Sequence, residues 1–251
     1  MVVNASNIQK NFDWLNEHKT ENVILKNVSE NYSLIALQGP QSREVLSVYT
    51  HANLKMPFYS FEDVSVCGYP VMLSRTGYTG ELGFEIYGDA NSLVYIWAEL
   101  INAGVKPAGL AARDILRMEM KYCLYGNDID NTTNPIEAGL SWITALSKGD
   151  FIGKDALLEI KKNRSDRQLI SFVMKERGIP RQGYEVFVDS QKVGVVTSGT
   201  QSPQLRTGIG LAYVNKPFHK TGQNISIQIR NKFVFAKIIK PPFIKETSLH
   251  Y

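Results

Sequence analysis

The chain is poor in the residues that usually announce a mechanism. Two cysteines in 251 residues, Cys67 and Cys123, are too few and too far apart for a disulfide framework or a metal-ligand spacing. They suit a reducing compartment and the role of small core residues. Four histidines (His18, His51, His219, His250) are isolated in sequence, which argues against a histidine-centred catalytic arrangement and against a metal site. No apolar run approaches the roughly 20 residues needed to span a bilayer, so no membrane association is expected. No secretory leader opens the chain, and triplets such as Asn131-Thr132-Thr133 read as chance matches to a glycosylation site. Charge of one sign is also lacking: 28 basic against 24 acidic residues leave a formal +4. Without a basic stripe interleaved with aromatics, nucleic acid is excluded as a partner. The one local cluster, Lys161-Lys162-Asn163-Arg164, reads as a solvated turn or a small docking patch.

What is present is enough chain to bury roughly 70–75% of its unfolded surface, with helix and strand signals in alternation. Val2-Val3 resembles the end of a buried strand, and Ile8, Phe12 and Leu15 give a helix that Asn4 or Ser6 can cap. Ser33 to Gln38 reads as a strand, followed by a short helix with Pro40 at its first position. Val64 to Cys67 and Val71 to Ser74 flank Gly68-Tyr69-Pro70 as a hairpin. Phe84 to Tyr87 is another strand. Asn91 caps a helix with Leu93, Ile96, Trp97, Leu100 and Ile101 on one face and Gly104 at its end. A further helix covers Leu110 to Lys121. From Gln168 onward six strands recur at short spacing: Leu169 to Met174, Tyr184 to Val188, Lys192 to Thr197, Ile209 to Val214, Asn224 to Arg230 and Phe233 to Lys240. The expectation is an α+β region over residues 1–165 followed by a small antiparallel β-barrel domain over 166–251.

The densest chemistry lies between Arg75 and Asp130. Arg75-Thr76-Gly77-Tyr78-Thr79-Gly80-Glu81-Leu82-Gly83-Phe84-Glu85 sets three glycines around a tyrosine and two acids. Glycine lets the backbone turn tightly and leaves room for a flat ligand. Glu85 alternates with apolar Phe84 and Ile86, so it points away from the core. It is either an ordinary solvated carboxylate or one that accepts two parallel N–H bonds from a heterocycle such as a pterin, a charge-assisted geometry. Tyr78 can stack on such a ring or be a plain turn aromatic, and Glu81 reads as a turn residue. Arg113 either pairs on the surface with Asp114 and Glu119 or aims its planar fork into a cavity walled by Tyr122 and Tyr125. Asn127 to Asp130 lacks the spacing and closing glutamate of a calcium loop. Val195 to Pro203 reads as a strand running into a structural loop, with no base near its serines.

With these motifs in order, the chain resembles the T-protein of the glycine cleavage system, the tetrahydrofolate-dependent aminomethyltransferases. The carriers are Val2-Val3-Asn4-Ala5, Leu37-Gln38-Gly39-Pro40, Arg75 to Glu85, Gly109 to Asp114, Leu124 to Asp130, Pro135 to Leu140, Asp150 to Lys154, Val196 to Ser202 and Pro242-Phe243. The resemblance implies a three-lobed cloverleaf with tetrahydrofolate in its central opening. Glu85 would grip the pterin edge, Tyr78 and Tyr122 would line the pocket, Arg113 would hold the folate, and Asn4 with Val3 would border the opening. It also implies the lipoylated H-protein as partner, 5,10-methylenetetrahydrofolate and ammonia as products, and a cytoplasmic location, or the mitochondrial matrix in a eukaryote.

Family members carry a catalytic aspartate just upstream of the strand that enters Val-Val-Asn-Ala, a position that falls ahead of Met1 here. No residue from Met1 onward matches it, so no catalytic residue is assigned within the chain. The expectation is most of a folate pocket without its catalytic wall, inactive or nearly so unless the missing N-terminal segment is supplied in trans. Two relatives of other kinds compete. Non-catalytic folate-binding proteins carry a Lys-Gly-Cys-Tyr-x-Gly-Gln run where this chain has Asp150-Phe151-Ile152-Gly153-Lys154. Dimethylglycine and sarcosine dehydrogenases carry a dinucleotide fingerprint that this chain lacks.

Overall fold

The computed structural model describes residues 1–163 and 165–250; Arg164, the end of the basic cluster, lies outside them. The chain divides into two compact units. The first comprises residues 1–77, 81–107 and the segment from 247, and the second 78–80 and 108–246.

In the first unit, residues 1–4 carry no regular structure, which corrects the reading of Val2-Val3 as the end of a buried strand. Met1 and Val2 are 92% and 67% exposed. The physical reason is that no strand of the sheet pairs with this segment, so nothing covers it. Helix α1 (Ile8–His18) follows a single 3-10 turn, and its N-cap is Asn7 rather than Asn4 or Ser6. Strands β1 (Ser33–Gln38), β2 (Phe61–Val66), β3 (Tyr69–Ser74) and β4 (Gly83–Gly88) form an antiparallel sheet in the order β1-β4-β3-β2. The β2–β3 turn is tighter than Gly68-Tyr69-Pro70. Val66 pairs directly with Tyr69, and Cys67 and Gly68 both take positive φ (53° and 83°). That is the two-residue turn whose twist matches a hairpin, and Pro70 becomes part of the strand. Pro40 sits one residue ahead of the N-cap Gln41 of α2 (Ser42–Ser47), outside the helix.

Helix α3 (Ala90–Asn102) is capped by Asp89, not Asn91: the Asp89 carboxylate accepts from the backbone N–H groups of Asn91 and Ser92, both at 3.0 Å. An acid at this place satisfies otherwise orphaned amides and complements the helix dipole. Leu93, Ile96 and Leu100 of α3 bury against Ile35, Leu37, Leu73, Phe84 and Ile86 of the sheet. Trp97, expected on that face, is 48% exposed. Since Phe84 and Ile86 fill this core, strand alternation turns Glu85 and Tyr87 to the opposite face of the sheet.

The second unit holds α4 (Leu110–Glu119), α5 (Lys154–Asn163) and a closed antiparallel barrel. Its strands are β5 (Arg167–Met174), β6 (Glu185–Val188), β7 (Gln191–Ser202), β8 (Thr207–Asn215), β9 (Asn224–Ile229) and β10 (Lys232–Ile239), in the order β10-β5-β8-β7-β6-β9. Phe172, Val186, Val196, Val214, Ile227 and Ile238 fill it. One correction concerns β7. Residues 199–202 pair with β8 and belong to the strand, so no structural loop follows Ser198.

The Pro135 to Leu140 motif fastens onto the first barrel strand. Asn134 Oδ1 accepts from the amides of Ile136 and Glu137, and the Glu137 carbonyl accepts from Leu169 N–H at 2.8 Å. The Glu137 carboxylate meets Arg167 in a two-pronged pair at 3.0 and 3.1 Å, a geometry that favours the ionised acid. Burial pushes the Glu137 carboxyl up, but the Arg167 bonds, the Asn134 amide and the Arg167 charge outweigh it and hold it below the ordinary range. A carboxyl depressed in the folded state stabilises above its unfolded pKa of about 4.3 and ceases to do so as pH falls through the lower folded value. Glu137→Gln is therefore expected to reduce stability near neutrality and to flatten its acid dependence, as read by urea unfolding at pH 7 and in steps below pH 4.5. An unchanged acid limb in the variant contradicts this.

Candidate functional site

The glycine-rich stretch does a different job from the one its composition suggests. A Cβ on Gly77 would lie 1.9 Å from Gln38 Oε1, and one on Gly83 would lie 2.3 Å from the same atom. The Gln38 side chain occupies both spaces, donating to the Thr76 and Phe84 carbonyls at 3.2 Å each. A Cβ on Gly80 would strike Met120 at 2.3 Å, and Gly80 also takes φ 77°. These glycines make room for the protein's own side chains rather than for a flat ligand. Glu81 is likewise more than a turn residue: its carboxylate accepts from both the amide and the hydroxyl of Ser248.

In the first unit the motif delivers Glu85. Its Oε2 accepts from the Thr76 hydroxyl and from the Tyr87 hydroxyl, the latter at 3.2 Å. The Thr76 hydroxyl also contacts Ser74 Oγ at 3.1 Å. Burial, then the charge of Glu85 and its hydrogen bond, push the Tyr87 phenol up to about 12, so it stays a donor at neutral pH. Oε1 has no hydrogen-bond partner among the described residues. A carboxylate offers roughly four acceptor positions; two on Oε2 are taken, and those on Oε1 remain. Glu85 is thus a half-buried acid held by two hydroxyls, with one oxygen left over. Asn4 lies in the same unit, exposed, its carbonyl accepting from Asn7 N–H at 2.9 Å. Met1, ahead of which the catalytic aspartate is expected, is exposed in the same irregular segment and supplies no acid or base of its own side chain.

In the second unit Tyr78, Tyr122 and Arg113 come together. The tyrosine rings stack with centroids 5.6 Å apart, and the Arg113 guanidinium lies 4.6 Å from the Tyr78 centroid, within cation–π range. The Tyr78 hydroxyl donates to the Cys123 carbonyl. Burial is the main reason its pKa rises to about 12, so Tyr78 is a neutral wall. Arg113 itself is exposed, and the surface pairing with Asp114 and Glu119 does not form. Asp114 pairs instead with Arg117, and Glu119 is buried under the Ser202 hydroxyl.

Arg117 is the residue that reading by motif missed. It is 2% exposed and donates to Asp114 (2.8 Å), to Asp128 (2.6 Å), to the Tyr122 carbonyl (3.2 Å) and to Ser198 Oγ (2.9 Å). Asp128, fully buried, also accepts from Leu124 N–H and the Thr197 hydroxyl, while its carbonyl accepts from Tyr213. The Leu124 to Asp130 motif is therefore a clasp around a buried ion pair. The available signal was two arginines at i and i+4: one helix face is core, so one of the two had to be buried and paired. Cys123 lies beside this network, partly buried, and burial above all raises its thiol pKa. Among the described residues no group of His, Cys, Asp and Glu could hold a metal ion, and no helix is long and apolar enough to cross a membrane.

Comparison with known proteins gives this geometry a context. Residues 1–148 match the family described as the GCVT N-terminal domain, and residues 167–245 the glycine cleavage T-protein C-terminal barrel domain. Aminomethyltransferases of Halothermothrix orenii and Flavobacterium psychrophilum are 47% and 46% identical over 97% and 98% of this chain, which spans 70% of each. The crystal structure of glycine cleavage system aminomethyltransferase T from Bartonella henselae superimposes with a TM-score of 0.85 at 30% identity. That match covers 96% of this chain and 67% of the other.

The clasp makes a firm prediction. Asp128→Asn leaves the Arg117 guanidinium buried without its charge partner, and loss of one member of such a pair costs about 3–5 kcal/mol. Denaturant unfolding is expected to show a drop of that order, whereas Asp114→Asn, at the half-exposed partner, should cost much less. Equal effects of the two would show that the ion pair is not the anchor.

Proposed function

Because the chain belongs to the glycine cleavage T-protein family of aminomethyltransferases, we propose that it binds tetrahydrofolate and serves aminomethyl transfer from the lipoyl arm of an H-protein. The carrying observation is Glu85: a half-buried carboxylate with Oε2 fixed by Thr76 and Tyr87 and Oε1 open. A reduced pterin presents adjacent N–H groups on one edge, which fits an oriented charged acceptor. Oε1 takes that edge, while the two hydroxyls keep the acid from rotating away. Tyr78, Tyr122 and Arg113 supply a stacked aromatic wall and a cation, suited to a flat heterocycle and to a carboxylate. Asn4 is assigned to the border of the folate opening on the family resemblance alone.

Tetrahydrofolate, when bound, supplies the nucleophilic nitrogen, and the products of transfer are 5,10-methylenetetrahydrofolate, ammonia and the reduced dithiol. The residues of this chain bind and orient; positioning of two reactants can contribute much of a rate enhancement without a strong base. No catalytic acid is assigned among its residues. A cytoplasmic location accords with the bacterial origin of the relatives. No observation favours the dehydrogenase or the non-catalytic folate-binding reading over this one.

The test is equilibrium binding of tetrahydrofolate to the 251-residue chain by calorimetry. Hydrogen bonds to a charged group are each worth enough that Glu85→Gln should weaken binding by roughly tenfold or more. Tyr87→Phe is expected to give a smaller loss, because it frees Glu85 without removing it. Equal affinity in wild type and Glu85→Gln would remove Glu85 from the site.

A further inference from the structure

The first unit contains a polar cavity whose lining includes none of the residues assigned to folate. Its volume is about 380 Å³, and its walls include Arg43, Lys55, Arg75 and His250 together with Phe58 and Leu249. No aspartate or glutamate lines it. The cations are graded by depth: Arg75 is 2% exposed, Arg43 is half-buried, and Lys55 and His250 are exposed.

Arg75 is the unusual member. Burying a charge is costly unless it is paired, and the two other arginines that anchor this fold follow that rule: Arg117 meets Asp128 and Arg167 meets Glu137. Arg75 has no carboxylate within ion-pair distance among the described residues. Its guanidinium donates to the carbonyls of Gly83, at 3.2 Å, and of Leu249. It also lies 5.6 Å from the ring centroids of both Phe58 and Phe84. Carbonyl dipoles and ring faces solvate the cation without neutralising it. Burial, and next the neighbouring Arg43 charge, press its pKa downward, the mark of like charges held close.

A cavity lined by cations at three depths, with no acid in its walls, has one natural occupant. We propose that it is an oxyanion site taking a small, multiply charged phosphate or carboxylate. Arg75 and Arg43 receive the charged oxygens, since guanidinium forks suit phosphate and carboxylate geometry. Lys55 and His250 contribute at the mouth, and Phe58 provides an apolar wall. The volume is at the small end of the range for small-molecule pockets, which favours an inorganic anion or a compact metabolite over a polymer.

Calorimetric titration of the 251-residue chain with inorganic phosphate, and separately with succinate, tests this against sodium chloride at matched ionic strength. Saturable binding of at least one of the two is expected, and which one binds identifies the source of the oxyanion. In the Arg43→Gln/Lys55→Gln double variant that binding should fall by about tenfold or more, while tetrahydrofolate affinity stays unchanged. Both positions reach the surface; if the double variant misfolds by circular dichroism, the single Lys55→Gln is read in the same way for a smaller loss. Absence of saturable binding by both anions, a response that chloride reproduces, or undiminished binding in the variant would each overturn the proposal. Failure of folate binding leaves these outcomes unaffected.

Discussion

The second unit is organised around one buried charge pair. Arg117 and Asp128 meet at 2.6 Å with almost no solvent contact, and nearly every polar group nearby is committed to one or the other. Helix α4 supplies the cation, the Leu124 to Asp130 turn supplies the anion, and β7 contributes Thr197 and Ser198 as further partners. Such an arrangement is costly to bury and costlier still to leave half-made. Its effect is geometric: helix, turn and barrel strand must take up fixed places before the charges can be satisfied. Tyr122, whose carbonyl also receives Arg117, is thereby held where it can stack on Tyr78.

In the first unit, packing rather than charge fixes the position of the acid. Gln38 fills the spaces left by Gly77 and Gly83, locking the approach of β1 to β4, and the register of that pair puts Glu85 opposite Ala36. Ser74 faces Glu85 on the other neighbouring strand. With small side chains on both flanks, the carboxylate stands clear of steric contact and is steadied by Thr76 and Tyr87. Those hydroxyls consume the lone pairs of one oxygen and leave the other, an asymmetry suited to a ligand that approaches from one side.

Much of this was legible in the order of residues. Period-two and period-3.6 patterns located the barrel strands and the amphipathic helix α3, because those elements each have a face buried in an apolar core. Caps and turns differ from their sequence reading for local reasons. Asp89 and Asn91 are both competent caps, and only geometry decides between them. The hairpin turns at Cys67 because Gly68 needs just one neighbour able to adopt positive φ. At the other extreme, two apolar residues after Met1 resemble a strand end, yet a strand needs a paired neighbour and none is there. The larger misses were tertiary. Nothing adjacent to Arg117 names Asp128 or Ser198 as its partners, and nothing around Gly77 shows that Gln38, far upstream, requires the absent Cβ. A glycine-rich motif that looks like ligand space can be space already taken. Motif resemblance gave the family, since many short segments in fixed order are specific, but it could not distribute roles between the residues that bind and those that hold the binders in place.

The central claim is that Glu85 presents one free carboxylate oxygen to the N–H edge of a reduced pterin. The most direct measurement is a crystal structure of the chain soaked with a stable tetrahydrofolate analogue. The pterin edge is expected at hydrogen-bond distance, about 2.7–3.2 Å, from Glu85 Oε1, with the Thr76 and Tyr87 contacts to Oε2 preserved. Ordered folate bound elsewhere, with Glu85 Oε1 facing only water, would contradict it.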